Sequence, residues 1–138
     1  MRDAIIVSTA RTPLTKSYRG TFNNTTAPTM AGWAIEEAVK RSGVDPNKVD
    51  DVIMGAALQQ GTQHCNVARN AALAAGLPVT VSGMTLDRQC SSGMMAIATA
   101  AKQIISDGMD VVVGGGLDSI SLVPVSYTHL TLPTKRIV

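Results

Sequence analysis

The sequence is poor in aromatic side chains: one tryptophan, one phenylalanine and two tyrosines among 138 residues. So few rings offer no platform for stacked bases, and the lysines and arginines stand singly or in pairs. Nucleic-acid binding therefore has no support. Charge is also sparse, with twelve basic against ten acidic residues and a net charge of +2. No stretch of about 18 apolar residues is available to span a bilayer. The opening Met1-Arg2-Asp3 lacks the apolar core and cleavage site of a secretory signal. A cytoplasmic protein with no membrane partner is expected. Cysteine is scarce too: Cys65 and Cys90 are the only two. A disulfide is not expected in a reducing compartment, and with His64 and His129 as the only histidines no metal-ligand spacing exists. No metal and no bound cofactor is expected.

What is present is aliphatic. Apolar residues make up 45% of the chain, dominated by small and unbranched or β-branched types. Small residues let helices approach a sheet closely, and a chain this apolar can offset the entropy of ordering. Residues 4–8 (AIIVS) predict a strand buried on both faces. A long Thr-, Asn- and Gly-rich loop should follow over residues 11–27. A helix is predicted from near Pro28, with Met30, Ala31, Ala34, Ile35, Ala38 and Val39 on one face and Gly43 as its left-handed stop. Asp45-Pro46 reads as a cap and first helical position of a short turn. Strands are predicted at residues 52–55, 79–86 and 109–113, the last running into Gly114-Gly115-Gly116. Helices are predicted at residues 66–75 and from Cys90 to Asp107, closed by Gly76 and Gly108. Alternation of this kind implies βαβ units and a largely parallel sheet. No internal repeat is visible.

The most informative local pattern is Asp87-Arg88-Gln89-Cys90-Ser91-Ser92-Gly93, lying between a strand and a helix. At a helix N-terminus the unpaired N–H groups and the dipole favour negative charge, which suits a reactive thiolate. The helix that follows carries no charge for about two and a half turns, and a helix apolar all round must be buried on all sides. It is expected to end up inside a larger assembly. Read by position alone, Cys90 is either a nucleophile or a small buried hydrophobe.

Four blocks, RDAIIVSTARTP, NVARNAALAAGLP, LDRQCSSGMMAIATAAKQI and GGGLDSISLVP, resemble thiolases, in thiolase order, over residues 1–124. The DRQCSSG version most resembles bacterial acetyl-CoA acyltransferases of fatty-acid oxidation. The resemblance implies an α/β fold: the N-terminal half of a thiolase, with a mostly parallel sheet, helices on both faces and a buried nucleophile helix. It implies acyl transfer through an acyl-cysteine at Cys90, whose backbone N–H would help hold the oxyanion, with acyl-CoA and CoA as substrates. It also implies a homodimer or homotetramer, with the strand near residues 82–86 at the subunit contact. The histidine and second reactive cysteine of the family come from a C-terminal half whose motifs are absent here, and neither His64 nor His129 matches them. This chain alone is thus expected not to turn over. Cys65 matches no catalytic position and is read as structural. Arg11, Lys16 and Arg19 are read as a solvated loop face rather than phosphate ligands. The Gly114–116 stretch lacks a nucleotide-binding fingerprint, and in thiolases it packs near the nucleophile.

Residues 126–138 (SYTHLTLPTKRIV) share no period with the rest and resemble a translated adaptor. They are read as a foreign tail, leaving residues 1–125 as a partial thiolase N-terminal domain. Two rivals remain: a ketoacyl-synthase-type condensing enzyme, against which the RTP and NVARNAALAAGLP blocks argue, and an inert truncated chain or thiolase-like binding subunit.

Overall fold

The computed structural model describes residues 2–123, so the tail at 126–138 lies outside the described residues. Three parallel strands form one sheet, β1 (Asp51–Gly55), β2 (Ser82–Leu86) and β3 (Val112–Gly116), in the order β2-β1-β3. The register places Asp51 beside both Ser82 and Val112. Every residue of the central strand is buried, as a strand covered on both faces requires.

The alternation of β1 sorts the core into two layers. Val52 and Met54 pack beneath α1 (Ala27–Ser42) and α2 (Val67–Ala74), with Ala31, Ile35, Ala68 and Ala71. Ile53 points to the opposite face, against Ala96 and Ala100 of α3 (Ser92–Lys102). Helices therefore cover both faces of a parallel sheet, as expected. The predicted stops hold as well: Gly43 and Gly108 take φ of 70° and 79°, the left-handed geometry glycine adopts without a Cβ penalty. Asp45 accepts the Asn47 N–H to open a single 3-10 turn at Pro46–Lys48.

The NVAR block pins β2 to α2. Asn66 donates its amide to Gly83 O at 2.8 Å and accepts from Thr85 Oγ1 at 2.8 Å. Arg69 donates to the carbonyls of Val79 and Val81. Those two contacts hold residues 79–81 in a turn, so β2 starts at Ser82 rather than at Val79.

Two expectations need correction. Residues 4–8 are not a buried strand: they run extended, without ladder partners, and Ile6 is 78% exposed. β-branched residues favour extended backbone, but a strand also needs a neighbour to bond. Here side chains tether the segment instead. Arg2 pairs with Asp110, Ser8 Oγ donates to Ala38 O at 2.8 Å, and Arg41 donates to Thr9 O at 3.1 Å. The run faces the open edge of β3 across a cavity of about 560 Å³, lined by residues 4–10 on one side and 111–116 on the other. The second correction concerns β3, which begins at Val112 and takes in all three glycines instead of ending before them. A Cβ at Gly114 would lie 3.0 Å from Ile97 Cα and 3.1 Å from Ala100 Cβ. Gly114 and Gly116 are in the strand because α3 lies directly on them.

Only one side of α3 is covered. Ala96 and Ala100 meet the sheet, whereas Met94 is 76% exposed and Ile97 is half-exposed. Among the described residues α3 is therefore half-covered, where the sequence leads one to expect a helix buried in a larger assembly. The residues on the open face of α3 carry little of this chain's own packing. Met94→Lys should therefore raise the solubility of the chain while changing unfolding free energy by no more than about 0.5 kcal/mol. Chemical denaturation read beside a precipitation assay checks both halves. A large loss of stability would mean that Met94 is buried in solution.

Candidate active site

Cys90 stands one residue before Ser91, the N-cap of α3, and at the C-terminal side of β2. The helix begins two residues later than the sequence suggested, because residues 87–92 form a tight turn held by their own side chains. Asp87 Oδ1 accepts the Gln89 N–H at 2.7 Å. Ser91 Oγ donates to Arg88 O at 2.9 Å. The buried Ser92 hydroxyl accepts the Arg88 N–H at 2.8 Å and donates to Gln89 O at 2.6 Å. Gln89 takes φ of 49°, a left-handed conformation that costs a non-glycine residue about 1–2 kcal/mol. Asp87 and Ser92, which bond to either side of Gln89, offset that cost. The block DRQCSSG thus spends nearly every polar group on its own closure and leaves Cys90 exposed.

Close backbone packing fixes where this turn sits. A Cβ at Gly55 would fall 2.1 Å from Ser92 C, and one at Gly116 would fall 2.9 Å from Gly93 Cα. Glycines at the ends of β1 and β3 therefore let the start of α3 rest on the C-terminal edge of the sheet. In open parallel sheets that edge is where ligand crevices form. Cys90 opens onto a cavity of about 410 Å³. Its walls are residues 10–15, Met30 and Ala34 of α1, Gln89 to Gly93 without Ser91, and residues 116–121.

The other candidates fall apart from this cavity or at its edge. His64 and Cys65 contact each other, but neither lines the cavity. Cys65 is exposed rather than packed in the core. Arg11, Lys16 and Arg19 are all exposed, and only Arg11 reaches the cavity wall. His129 lies outside the described residues. Among the described residues, no group of three acidic, Cys or His side chains could hold a metal ion, and no helix is long and apolar enough to cross a membrane. Sequence reasoning missed the buried Gln63, whose amide joins residues 58, 118 and 119. A polar side chain in an irregular loop gives no periodic signal that it will be buried.

Fold and site together define an α/β chain that presents a free cysteine at the start of a sheet-packed helix, over a cavity at the C-terminal edge of its strands. The chain belongs to the thiolase family: the family described as "Thiolase, N-terminal domain" matches residues 4–136. It is similar to the 3-ketoacyl-CoA thiolase of Bacillus subtilis (strain 168), with 39% identity over 133 residues, covering 96% of this chain and 34% of that protein. An acetyl-CoA acetyltransferase of Cupriavidus necator is 40% identical over 124 residues, covering 90% of this chain and 31% of that protein. Among solved structures, the Bacillus anthracis acetyl-CoA acetyltransferase superposes with a TM-score of 0.84 at 46% identity, over 90% of this chain and 31% of that one. The chain spans about a third of the length of these relatives.

Proposed function

We propose that this chain supplies the nucleophile half of an acyl-CoA C-acyltransferase, with Cys90 carrying the acyl group. The observation that carries the reading is the placement of Cys90: exposed, one residue before the N-cap of α3, and lining the 410 Å³ cavity. The names of its relatives supply the substrate class.

In the degradative direction the Cys90 thiolate attacks the keto carbon of a 3-ketoacyl-CoA. The bond between that carbon and the α-carbon breaks, and acetyl-CoA leaves as its enolate, which takes a proton. The acyl group is now a thioester on Cys90. A second CoA thiol gives up its proton, attacks that thioester and returns the Cys90 thiolate. Run backwards, the same steps join two acyl-CoA molecules. Covalent capture divides one difficult displacement into two easier ones, and the Cys90 N–H is a donor for the oxyanion of each tetrahedral adduct.

No histidine lines the cavity among the described residues, and the thiolase resemblance assigns the base and acid of these steps to a C-terminal half. The chain alone is expected to accept an acyl group and then stop. The complete enzyme would be a cytoplasmic homodimer or homotetramer, with the open edge of β2 at the subunit contact. Incubating the chain with acetyl-CoA and measuring released CoA tests the reading. At most one equivalent per chain is expected, and sustained release would show that the chain holds a whole catalytic centre.

A second reading, a binding subunit without chemistry, would leave the unused thiol and closed DRQCSSG turn without a purpose. A condensing enzyme acting on carrier-linked substrates stays distinguishable by offering acyl groups on a carrier protein in place of CoA.

A further inference from the structure

Gln63 lies at the end of the short 3-10 turn Gly61–Gln63 and is 1% exposed. Both ends of its amide are engaged, with one partner nearby in sequence and two far away. The amide nitrogen donates to Leu58 O and, at 3.0 Å, to Asp118 Oδ1, and the amide oxygen accepts the Ser119 N–H. Asp118 Oδ1 also accepts the Leu58 N–H at 3.4 Å. Two of these partners, Asp118 and Ser119, form part of the wall of the Cys90 cavity. The segment they belong to leaves β3 at Gly116, which a Cβ would press against Gly93 at the start of the nucleophile helix.

A buried glutamine with both ends engaged is costly to misplace, since either group left unpaired loses its hydration without return. Its contacts to Asp118 and Ser119, with the Leu58 N–H also on Asp118, tie residues 118–119 to the loop that carries Gln63. From this we infer that Gln63 is a positioning residue for the acyl-transfer site: it holds the Asp118–Ser119 wall at the distance from Cys90 that admits an acyl-thioester. The inference rests on the reading of Cys90 as the acyl carrier. Gln63 itself touches no substrate. Its effect passes through the wall it anchors, so the expected signature is a change in Cys90 acylation that depends on the partner at 118.

The test uses the intact chain and acetyl-CoA, with acetyl-Cys90 measured by peptide mass spectrometry and each rate divided by that of the same thiol in the urea-unfolded chain. Gln63→Glu sets two carboxylates against each other and should slow the folded-state reaction by about tenfold. Gln63→Met, which keeps the volume and removes all three hydrogen bonds, should slow it by a similar factor. Adding Asp118→Asn to Gln63→Glu restores a donor to the pair while Ser119 still donates to residue 63. This double variant should recover the rate to within about threefold of the original. Far-UV circular dichroism confirms that each variant is folded. Folded variants that acetylate Cys90 at the original rate would overturn the inference, and so would a folded double variant that shows no recovery. If Gln63→Glu alone does not fold, Gln63→Met and the double variant decide between the same outcomes. A separate result, in which the unaltered chain acetylates Cys90 no faster than its unfolded form, would instead remove the acyl-carrier reading.

Discussion

Cys90→Ala in a family-length enzyme bearing this N-terminal sequence is expected to lower kcat/KM by on the order of 10⁴-fold or more. The acyl-enzyme at residue 90 should then be absent by mass spectrometry. The size follows from the division of labour in the turn. Asp87, Ser91 and Ser92 are occupied in bonds to Arg88 and Gln89, so none is available as a substitute nucleophile. The cavity and its backbone donors survive the change, and the residual rate should come from binding and oxyanion stabilisation alone. Cys90→Ser is expected to be nearly as damaging, because a serine hydroxyl needs a stronger base than a thiol does to become nucleophilic. Stability should hardly move in either variant, since Cys90 is exposed. A Cys90→Ala enzyme that kept more than about a tenth of its activity would place the nucleophile elsewhere.

Gly55→Ala should be the most damaging single methyl group that can be added to this chain. The new Cβ would lie 2.1 Å from Ser92 C, 2.3 Å from Ser92 O and 2.5 Å from Gly93 N. All three are backbone atoms at the start of α3, so no side-chain rotation can relieve the overlap. Either β1 or the helix must shift, and β1 is buried along its whole length between two neighbours. A destabilisation of about 3 kcal/mol or more is expected, at the top of the usual overpacking range, seen as a fall in melting temperature of about 10 °C. The same displacement carries the Cys90 turn away from its cavity, so acylation should fall even at temperatures where the variant stays folded. Gly76→Ala provides the contrast. Its Cβ would meet nothing within 4 Å, and the only strain is its left-handed φ of 74°, worth about 1–2 kcal/mol. Equal losses from both variants would mean that close packing at Gly55 does not position the nucleophile helix.

The sequence made some of this architecture legible and hid the rest for physical reasons. Period and punctuation located α1 and its stop, because Ile35 and Val39 recur on one face and Gly43 has the backbone freedom to end it. The same kind of signal misplaced β3. Glycine reads as a break when its neighbours in space are unknown, yet Gly114 and Gly116 are in the strand because Ile97 and Gly93 press on them. The AIIVS run was read as a buried strand on local preference, although pairing depends on a neighbour within bonding reach and the open edge of β3 lies across a cavity from it. At the site, DRQCSSG identified Cys90 as the candidate, and the structure shows how the surrounding letters close the turn. The other walls of its cavity, residues 10–15 and 116–121, come from segments far apart in the chain. No periodicity links them, and the NVAR block gave no sign that Asn66 and Arg69 act by holding β2 and the turn before it.

The most direct test of the account is to expose the chain to acetyl-CoA and map the acetyl group by peptide mass spectrometry. Thioester exchange moves the acyl group from CoA to a protein thiol and releases one CoA, so Cys65, also exposed, serves as the competing site in the same molecule. The account predicts acetyl on Cys90 in clear excess over Cys65, a difference that disappears when the chain is unfolded in urea. Acetyl divided equally between the two cysteines, or found mainly on Cys65, would contradict it.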